Sequence, residues 1–576
     1  MAMRKFLLRS PHAFLLLLAA SLCLAQEPGP SQAGQNQAAE AKERLCAVAG
    51  MVVRAATGEP LKKARITLVG QAEKRPHALV AISDASGHFS IEKVPPGRYS
   101  MDVERVGYVS QSYGQDRPDK PGATLTLEPG KKMTELLFRL QSAGVIAGHV
   151  HDEDGEPAQN ANVEVLRRTH SSGKIEVGAV GNATTNDLGE YRVFDLAPGR
   201  YYVRATMQSG LSLFFSSFGA ESVSNNSPQQ TATSYAPTYY PGTTDLNRAI
   251  ALELKAGEEI PEIDLSLSLN RTYRVHGHVA PAVAGEFLSN IGVTLLPRDE
   301  FTPWGGDFRQ SGADPKTGEF EITGVPPGSY ALVAFWQDEG KSRTAFQDID
   351  VQDANVDDVS IIFRPGIDIP GHVTFEGRTE ADGHLTVGLV GRDRMFFGSR
   401  EAPVKSDGSF LLPGVGDGDY SVHVGSSCAT CYLKTAAAGG ADILEQGLRI
   451  SSGAAPPSLE IVYSNNTGAV NGVVTRQDGL PAAGALVVLV PDATFRKNSE
   501  RYQKATTDQY GAFTIRGVAP GNYSAFAWEK IEEGAYEDPE FLKPVEKMGE
   551  SVEVEENGKN TIQLKLIPAT SDQSQN

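Results

Sequence analysis

The chain is poor in cysteine, in long apolar runs and in basic residues. Its 576 residues contain four cysteines, which excludes a small scaffold held together by many disulfides. Beyond the first 25 residues, no apolar stretch is long enough to span a bilayer as a helix. Lys and Arg number 53 against 71 Asp and Glu, and the net charge of −18 argues against nucleic acid and anionic membrane surfaces as partners.

Glycine and proline are abundant, with 59 and 34 residues, and no long amphipathic helix is recognisable between residues 45 and 568. This composition favours an all-β chain with many turns. The acidic residues concentrate late, with eleven Asp and Glu against three Lys over residues 529–556. We interpret that run as a solvated acidic loop.

One pattern returns along the chain: a Gly, an aromatic residue two positions later, a Pro/Gly turn, and a Tyr twelve residues after the first Gly. Alternating residues on both sides of the turn predict two short strands joined as a hairpin. Similar segments precede and follow each hairpin, which gives roughly seven short strands per copy, as in a small β-sandwich. The five copies run over 87–99, 189–201, 318–330, 408–420 and 511–523.

The order of the motifs in each copy is G-x-V, D-G-x-P, A-x-V-x-L, G-x-F-x-I and P-G-x-Y. This order resembles the carboxypeptidase regulatory-like domain, which has a prealbumin-like and carbohydrate-binding-like fold, in repeat proteins of the secreted bacterial type. The resemblance implies an all-β tandem array of five small prealbumin-like (Ig-like) sandwiches. It does not imply a particular ligand, since such sandwiches carry many unrelated functions.

We place domain boundaries where the last strand of one copy runs into the next G-x-V segment. The short joins predict that the modules are strung as a semi-rigid rod. The predicted sandwiches span 45–140, 141–269, 270–365, 366–466 and 467–568. The second is the longest, because it contains a long aromatic insert. The ends at 26–44 and 569–576 are predicted to be disordered.

The first 25 residues have the form of a secretory signal peptide, with Arg4, Lys5 and Arg9 before an apolar run that ends at Leu24. This predicts an extracytoplasmic protein that is periplasmic, on the outer surface or secreted. Cys23 is an alternative lipidation site, although Leu22 before it is larger than such sites prefer.

Three cysteines remain after cleavage. Cys428 and Cys431 are spaced as in redox motifs, but no strand-to-helix context accompanies them. We expect a local disulfide between them, in preference to a redox or metal site. Cys46 is then left over, either free or paired between chains.

Two H-x-H pairs, His149 with His151 and His276 with His278, are the only enzymatic candidates. Intradiol dioxygenases have a related sandwich and bind iron with two Tyr and an H-x-H pair. Here the nearest Tyr-rich segment is separated from His276 by predicted strands. The simpler explanation for these histidines is that they occupy a half-exposed strand position that accepts several residue types. The motifs H-E-x-x-H and G-x-S-x-G are absent from the sequence.

The remaining candidates are aromatic residues in loops. Tyr235, Tyr239 and Tyr240 lie in the insert of the second copy, and Trp304 and Trp336 belong to the third. Such rings stack on sugars or on peptide side chains. The alternative is that they fold back to cover an open end or edge of their own sandwich.

The sequence therefore favours a non-catalytic scaffold or binding protein without a cofactor, whose partner is a carbohydrate or a cell-envelope protein. The alternative is a metal-dependent, intradiol-dioxygenase-like enzyme that uses one H-x-H pair.

Overall fold

The computed structural model describes residues 45–71, 78–115, 117, 120–171, 173–207, 233–283, 290–298, 309–338, 341–377, 385–392, 400–426, 428, 430–451 and 457–569. Over this part the chain is almost entirely β, and its strands form a tandem array of five sandwiches. The predicted fold class is therefore confirmed. The predicted signal peptide, leader and tail lie outside the described residues, apart from Ala569.

The first module packs a three-stranded sheet, β4-β1-β8, against a sheet of order β3-β2-β5-β6 in which β7 also pairs with β5. Its core includes Val48, Phe89 and Tyr99. The strands are β1 (Cys46–Arg54), β2 (Arg65–Gly70), β3 (Ala78–Ile82), β4 (His88–Val94), β5 (Gly97–Glu104), β6 (Gln111–Ser112), β7 (Leu125–Leu127) and β8 (Lys132–Leu140).

The second module has the sheets β12-β9-β17 and β11-β10-β13-β15, with β18 added to β9 and β16 to β13, while β14 pairs with β19. A 3-10 helix covers Leu246–Arg248. The strands are β9 (Gly144–His151), β10 (Asn162–Ser171), β11 (Lys174–Thr184), β12 (Glu190–Leu196), β13 (Gly199–Thr206), β14 (Thr233–Tyr235), β15 (Thr238–Tyr239), β16 (Leu252–Leu254), β17 (Glu259–Ile260), β18 (Leu265–Ser266) and β19 (Leu269–Arg271).

The third module repeats this plan with sheets of order β23-β20-β26 and β22-β21-β24-β25. Its core contains Phe320, Tyr330 and Trp336. The strands are β20 (Tyr273–Pro281), β21 (Ile291–Pro297), β22 (Arg309–Gly312), β23 (Glu319–Val325), β24 (Gly328–Asp338), β25 (Lys341–Val351) and β26 (Val356–Phe363).

The fourth module differs by an added hairpin, because β32 and β33 extend the sheet β30-β27-β35-β32-β33; the facing sheet is β29-β28-β31-β34. The strands are β27 (Ile367–Glu376), β28 (Thr386–Gly391), β29 (Arg400–Pro403), β30 (Ser409–Val415), β31 (Gly418–Gly425), β32 (Tyr432–Ala438), β33 (Ala441–Asp442), β34 (Leu448–Ile450) and β35 (Leu459–Ser464).

The fifth module has sheets of order β39-β36-β42 and β38-β37-β40-β41. Between β40 and β41 lies a short helical segment with 3-10 helices at Ala535–Glu537 and Glu546–Met548 and helix α1 at Pro539–Leu542; another 3-10 helix covers Ser499–Arg501. The strands are β36 (Gly468–Thr475), β37 (Leu486–Pro491), β38 (Gln503–Thr506), β39 (Ala512–Val518), β40 (Gly521–Trp528), β41 (Glu550–Val554) and β42 (Lys559–Lys565).

The recurring Gly and aromatic residues have a shared packing role. In every module the Gly of G-x-V lies opposite the aromatic residue of the following hairpin, for example Gly472 opposite Phe513. A Cβ atom on Gly472 would lie 2.7 Å from the Phe513 ring and 2.3 Å from the carbonyl oxygen of Ile562. Only Gly leaves room there for the ring and for the parallel last strand.

The fifth module folds back onto the first, so the predicted rod is wrong. Thr124 of the first module forms a parallel β-bridge with Asp508 of the fifth. The backbone N–H of Thr124 donates to the carbonyl oxygen of Thr507 at 3.2 Å. The two ends of the array are therefore in direct contact.

Candidate functional site

The five recurring tyrosines all bury their rings in the core of their own module. The five side chains are between 2% and 7% exposed. Each hydroxyl donates a hydrogen bond to the carbonyl oxygen four residues earlier, which resembles the tyrosine corner of other β-sandwiches. The pairs are Tyr99 with Pro95 (2.7 Å), Tyr201 with Ala197 (2.5 Å), Tyr330 with Pro326 (2.9 Å), Tyr420 with Gly416 (3.0 Å) and Tyr523 with Ala519 (2.8 Å).

Replacing Tyr523 by phenylalanine is expected to lower the free energy of unfolding of the fifth module by about 1 kcal/mol, because the Ala519 carbonyl loses its donor while the ring stays buried. Urea unfolding measures this. Tyr510→Phe is the matched control, since its ring is 49% exposed. An equal loss in both variants would contradict the corner role.

In the second module, the insert returns over the outer face of the sheet. Tyr239 on β15 is 1% exposed and packs with Leu166 and Tyr202. The predicted ligand-binding role of Tyr239 therefore needs correction, because the ring is buried against its own sandwich. The alternative expected the aromatic residues to fold back onto an open end or edge, whereas Tyr239 packs on a sheet face. The insert residues 208–232 lie outside the described residues.

Tyr235 and Tyr240 remain partly accessible at the edge of the same module. The Tyr235 hydroxyl donates to the Glu153 carboxylate at 2.5 Å, and this hydrogen bond raises the pKa of Tyr235 to about 12. The Tyr240 ring packs against the core of the second module. The peptide bond between Tyr240 and Pro241 is cis. Among the predicted ligand-binding residues that the structure describes, these two rings are the ones that stay accessible.

A buried ion pair lies beneath Tyr239. The Arg204 guanidinium on β13 donates to the Glu164 carboxylate on β10 at 2.5 Å and 2.9 Å, and the two side chains are 4% and 8% exposed. Burial acts to lower the pKa of Arg204, but the charges and hydrogen bonds of Glu164 and Tyr239 together outweigh burial, and the pKa is raised. Sequence reasoning missed this pair, although a charged residue amid the apolar strand residues of β10 and of β13 is its signal.

Of the two third-module candidates, Trp336 lies in the part of the chain that the structure describes. Trp336 is 7% exposed, belongs to the core, and has the Arg343 guanidinium 5.5 Å from its ring centroid. Its predicted ligand-binding role is corrected for the same reason as that of Tyr239, because a core ring cannot stack on a ligand. Trp304 lies outside the described residues.

The first H-x-H pair contacts carboxylates. The His149 Nδ1 atom is 3.2 Å from Asp264, its Nε2 atom is 4.0 Å from Glu190, and the rings of His149 and His151 stack at 6.1 Å. Even so, in the described part of the chain no group of three or more His, Cys, Asp or Glu side chains is arranged to hold a metal ion.

Cys428 and Cys431 are joined by a disulfide between β31 and β32. Cys46 is buried at the start of β1, and its thiol donates to the carbonyl oxygen of Glu128 at 3.0 Å. Among the described residues, no helix is long and apolar enough to cross a membrane.

The contact between the first and fifth modules centres on the turn before β39, which we call the docking turn (residues 507–510). In the first, second and third modules the corresponding residues Asp84, Asn186 and Asp314 accept backbone N–H groups and are exposed. Asp508 does the same for its own turn but is only 4% exposed. The fifth copy of a repeated turn has therefore become an interface.

Side chains make the docking turn specific. The second oxygen of Asp508 accepts the Thr126 hydroxyl at 2.9 Å. The Gln509 amide pairs with the Thr126 backbone in both directions, accepting its N–H at 3.1 Å and donating to its carbonyl oxygen at 2.8 Å. The Gln509 side-chain amide therefore makes the same two hydrogen bonds to Thr126 that a residue of a neighbouring β-strand would make, but it makes them between two modules.

The acidic segment 529–549, which we call the cap segment, adds contacts to two modules. Glu529 pairs with Lys120 of the first module at 2.9 Å, and Glu532 lies 2.7 Å from His170 at the end of β10 in the second. Hydrogen bonding to Lys120 lowers the pKa of Glu529.

The cap segment is not the solvated loop that its charge predicts. Tyr536 and Leu542 are 4% and 2% exposed, and they cover Val488 and Trp528 on the outer face of the fifth module's sheet. The sequence carried a signal for this cover, because the apolar run of β37 leaves neither face polar.

The fourth module joins the fifth through Lys434 on β32. Its ammonium group lies 2.7 Å from Glu376 of its own module and 2.8 Å from Glu556 of the fifth. The fifth module therefore contacts the first, second and fourth.

The fold and these contacts define a tandem β-sandwich protein closed by its last module. Residues 47–141 and 145–219 match the family model of the carboxypeptidase regulatory-like domain, which confirms the resemblance for these two segments. No protein in a comparison with curated sequences matches the chain.

Three of the solved structures that match the chain do so at low identity and with low TM-scores. The Bacillus anthracis TIE protein is 14% identical over 55% of this chain, with a TM-score of 0.15, and the match spans 51% of its own length. The minor pilin GBS52 of Streptococcus agalactiae is 9% identical over 38% of this chain and 94% of that chain, with a TM-score of 0.22. The major pilin BcpA of Bacillus cereus is 10% identical over 55% of this chain and 99% of that chain, with a TM-score of 0.14.

Proposed function

We propose that the protein is a non-catalytic scaffold of carboxypeptidase regulatory-like modules that acts outside the cytoplasm and presents a binding surface to a carbohydrate or cell-envelope protein. The observation that carries this proposal is the use of the recurring residues. All five tyrosines that mark the repeats are committed to packing and to backbone hydrogen bonds. The repeated residues therefore form the module cores, and we look for the functional residues in loops and interfaces.

The surface most suited to a ligand is the edge that carries Tyr235 and Tyr240. The acidic residues Asp152, Glu153 and Asp154 lie near Tyr235, and Pro237 and Pro241 restrict the backbone beside the two rings. A flat ring beside carboxylates offers stacking and hydrogen bonds at once, which suits a neutral saccharide. Trp304 belongs to this proposal only as a sequence prediction.

A glycan-array screen of the cleaved protein tests this surface. We expect binding to a neutral glycan that is lost in a Tyr235→Ala/Tyr240→Ala variant and kept in Tyr510→Ala, whose ring is also exposed. Binding that survives in the double variant, or no binding to any glycan, would overturn the saccharide assignment. The second result would leave a protein partner as the occupant of the surface.

The metal-dependent alternative is tested by the metal content of the purified protein. His149 is the residue that would carry that chemistry, because it already contacts Asp264 and Glu190. The scaffold proposal expects below about one tenth of an equivalent of iron or zinc after dialysis against the metal. A stoichiometric content that disappears in His149→Ala would contradict the non-catalytic role.

A further inference from the structure

The outermost strand of one sheet in the first module, β3, has an unpaired edge. The sheet has the order β3-β2-β5-β6, and among the described residues no strand pairs with β3 on the side away from β2. The other end of the same sheet is occupied, because the backbone of Thr126 on β7 is bonded to Gln509 of the docking turn. Within the described part of the chain, the closed array therefore covers one edge of this sheet and not the edge at β3.

The backbone of β3 presents hydrogen-bonding groups at this edge. In an antiparallel sheet, the N–H and C=O groups of successive residues point alternately to the two sides of a strand. Directly after β3, the Ser83 N–H donates to the carbonyl oxygen of Ala64 at 2.9 Å, which is the side of β2. By this alternation, the groups that point to the open side belong to Ala78, Val80 and Ile82.

The side chains of β3 are apolar on both faces. Leu79 and Ala81 pack against the core of the first module and are partly buried. On the outer face, Val80 and Ile82 are 47% and 67% exposed, and Ala78 is exposed as well. An uncharged edge strand of this kind is a ready template for pairing with another strand.

The corresponding edge strands of the other four modules carry protection that β3 lacks. β22, β29 and β38 are four residues long, and short edge strands with charged or proline residues resist pairing with another chain. The longer β11 contains an acidic residue and two glycines, and glycine weakens a strand. The residues concerned are Arg309 in β22, Arg400, Glu401 and Pro403 in β29, Lys504 in β38, and Glu176, Gly178 and Gly181 in β11.

We infer that β3 is a docking edge for the β3 strand of a second copy of this chain, paired antiparallel about a twofold axis at Val80. The facing pairs are then all apolar: Val80 with its own counterpart, Ala78 with Ile82, and Leu79 with Ala81. The backbone groups on the open side also face each other, so they exchange N–H to C=O hydrogen bonds. Such a contact uses the same surface on both copies, as twofold dimers do.

The charge and the size of the edge define the kind of dimer. Two copies that each carry a net charge of −18 repel one another, and an uncharged edge adds no further repulsion where they meet. Two strands of five residues bury less than the roughly 1,200 Å² of a stable complex. We therefore expect a reversible dimer with a Kd on the order of 10–100 μM, independent of any carbohydrate binding.

Sedimentation equilibrium of the full chain from about 1 to about 200 μM tests the inference. Val80→Lys should weaken association tenfold or more, because two ammonium groups then lie directly opposite each other on the axis. Leu137→Lys is the matched control and should associate as the native chain does. Leu137 lies on β8 in the facing sheet of the same module and is 49% exposed, against 47% for Val80.

Mixing two variants tests the register itself. Val80→Lys and Val80→Glu should each associate weakly alone, whereas their mixture should associate at least tenfold more tightly, because opposite charges then meet on the axis. A mixture no tighter than either variant alone would overturn the inference. So would equal weakening by Val80→Lys and Leu137→Lys. Circular dichroism of each variant establishes that it is folded.

The native chain provides a test that needs no variant. Salt screens the repulsion between two acidic copies and leaves an apolar, backbone-bonded edge intact, so association should strengthen between about 0.05 and about 0.5 M salt. A native chain that stays monomeric at every concentration, or whose association weakens as salt rises, would contradict pairing through β3.

Discussion

Arg204→Met is expected to destabilise the second module by about 3–5 kcal/mol, because it leaves the Glu164 carboxylate buried without its cation. The pair is covered by Tyr239 and neighbours Tyr202, so water cannot readily replace the guanidinium. Chemical unfolding followed by a probe in the second module measures the loss. The effect should be among the largest of any single substitution outside the cores.

Two controls separate the buried charge from lost packing. Arg192→Met removes an exposed pair with Glu259, whose side chains are 54% and 53% exposed, and should cost about 0–1 kcal/mol. The double variant Arg204→Met/Glu164→Met should recover most of the stability, since no charge remains buried. A loss in Arg204→Met no greater than in Arg192→Met would show that the pair is hydrated in solution.

Removing the docking contacts is expected to open the array. The triple variant Lys120→Ala/Thr126→Val/Gln509→Ala deletes the ion pair with Glu529 and the side-chain hydrogen bonds between the first module and the docking turn. None of the three side chains belongs to a module core. Each module should therefore stay folded while the ends separate.

Small-angle X-ray scattering measures the opening. A sandwich of roughly 100 residues has a radius of gyration of about 13 Å, so release of the first module should lengthen the particle by about 30 Å. Asp187→Ala is the matched control, because it changes the exposed equivalent of Gln509 in the second module's turn. Identical scattering from the triple variant and the native chain would show that these contacts do not hold the array closed.

The strands and cores were predictable because they depend on local spacing. The Gly, the aromatic residue two positions after it and the Tyr after the Pro/Gly turn lie close together in the sequence, as in Gly511, Phe513 and Tyr523, and the same physics repeats in each copy. Phe513 and Tyr523 could therefore be assigned to a core without knowledge of any other module.

The interfaces could not be predicted in this way. Thr126 and Gln509 are 383 positions apart, and neither belongs to a periodic pattern. The burial of outer sheet faces by Tyr239 and Tyr536 could be predicted in part. A strand without a polar face, such as β37, signals that something covers it, but the covering residue comes from a loop whose path the sequence pattern does not fix.

Zero-length carbodiimide cross-linking with mass spectrometry determines whether the fifth module closes the array by binding the first. The reagent joins amines to carboxylates already in contact, such as Lys120 with Glu529 and Lys434 with Glu556. Lys504 with Glu533, within the fifth module, is the internal control. Mixing isotopically labelled and unlabelled chains identifies links between copies.

The closed array predicts an intramolecular Lys120–Glu529 link at a yield comparable to that of Lys504–Glu533. A sample in which Lys504–Glu533 forms while Lys120–Glu529 is absent, or forms only between labelled and unlabelled chains, would contradict the closed arrangement.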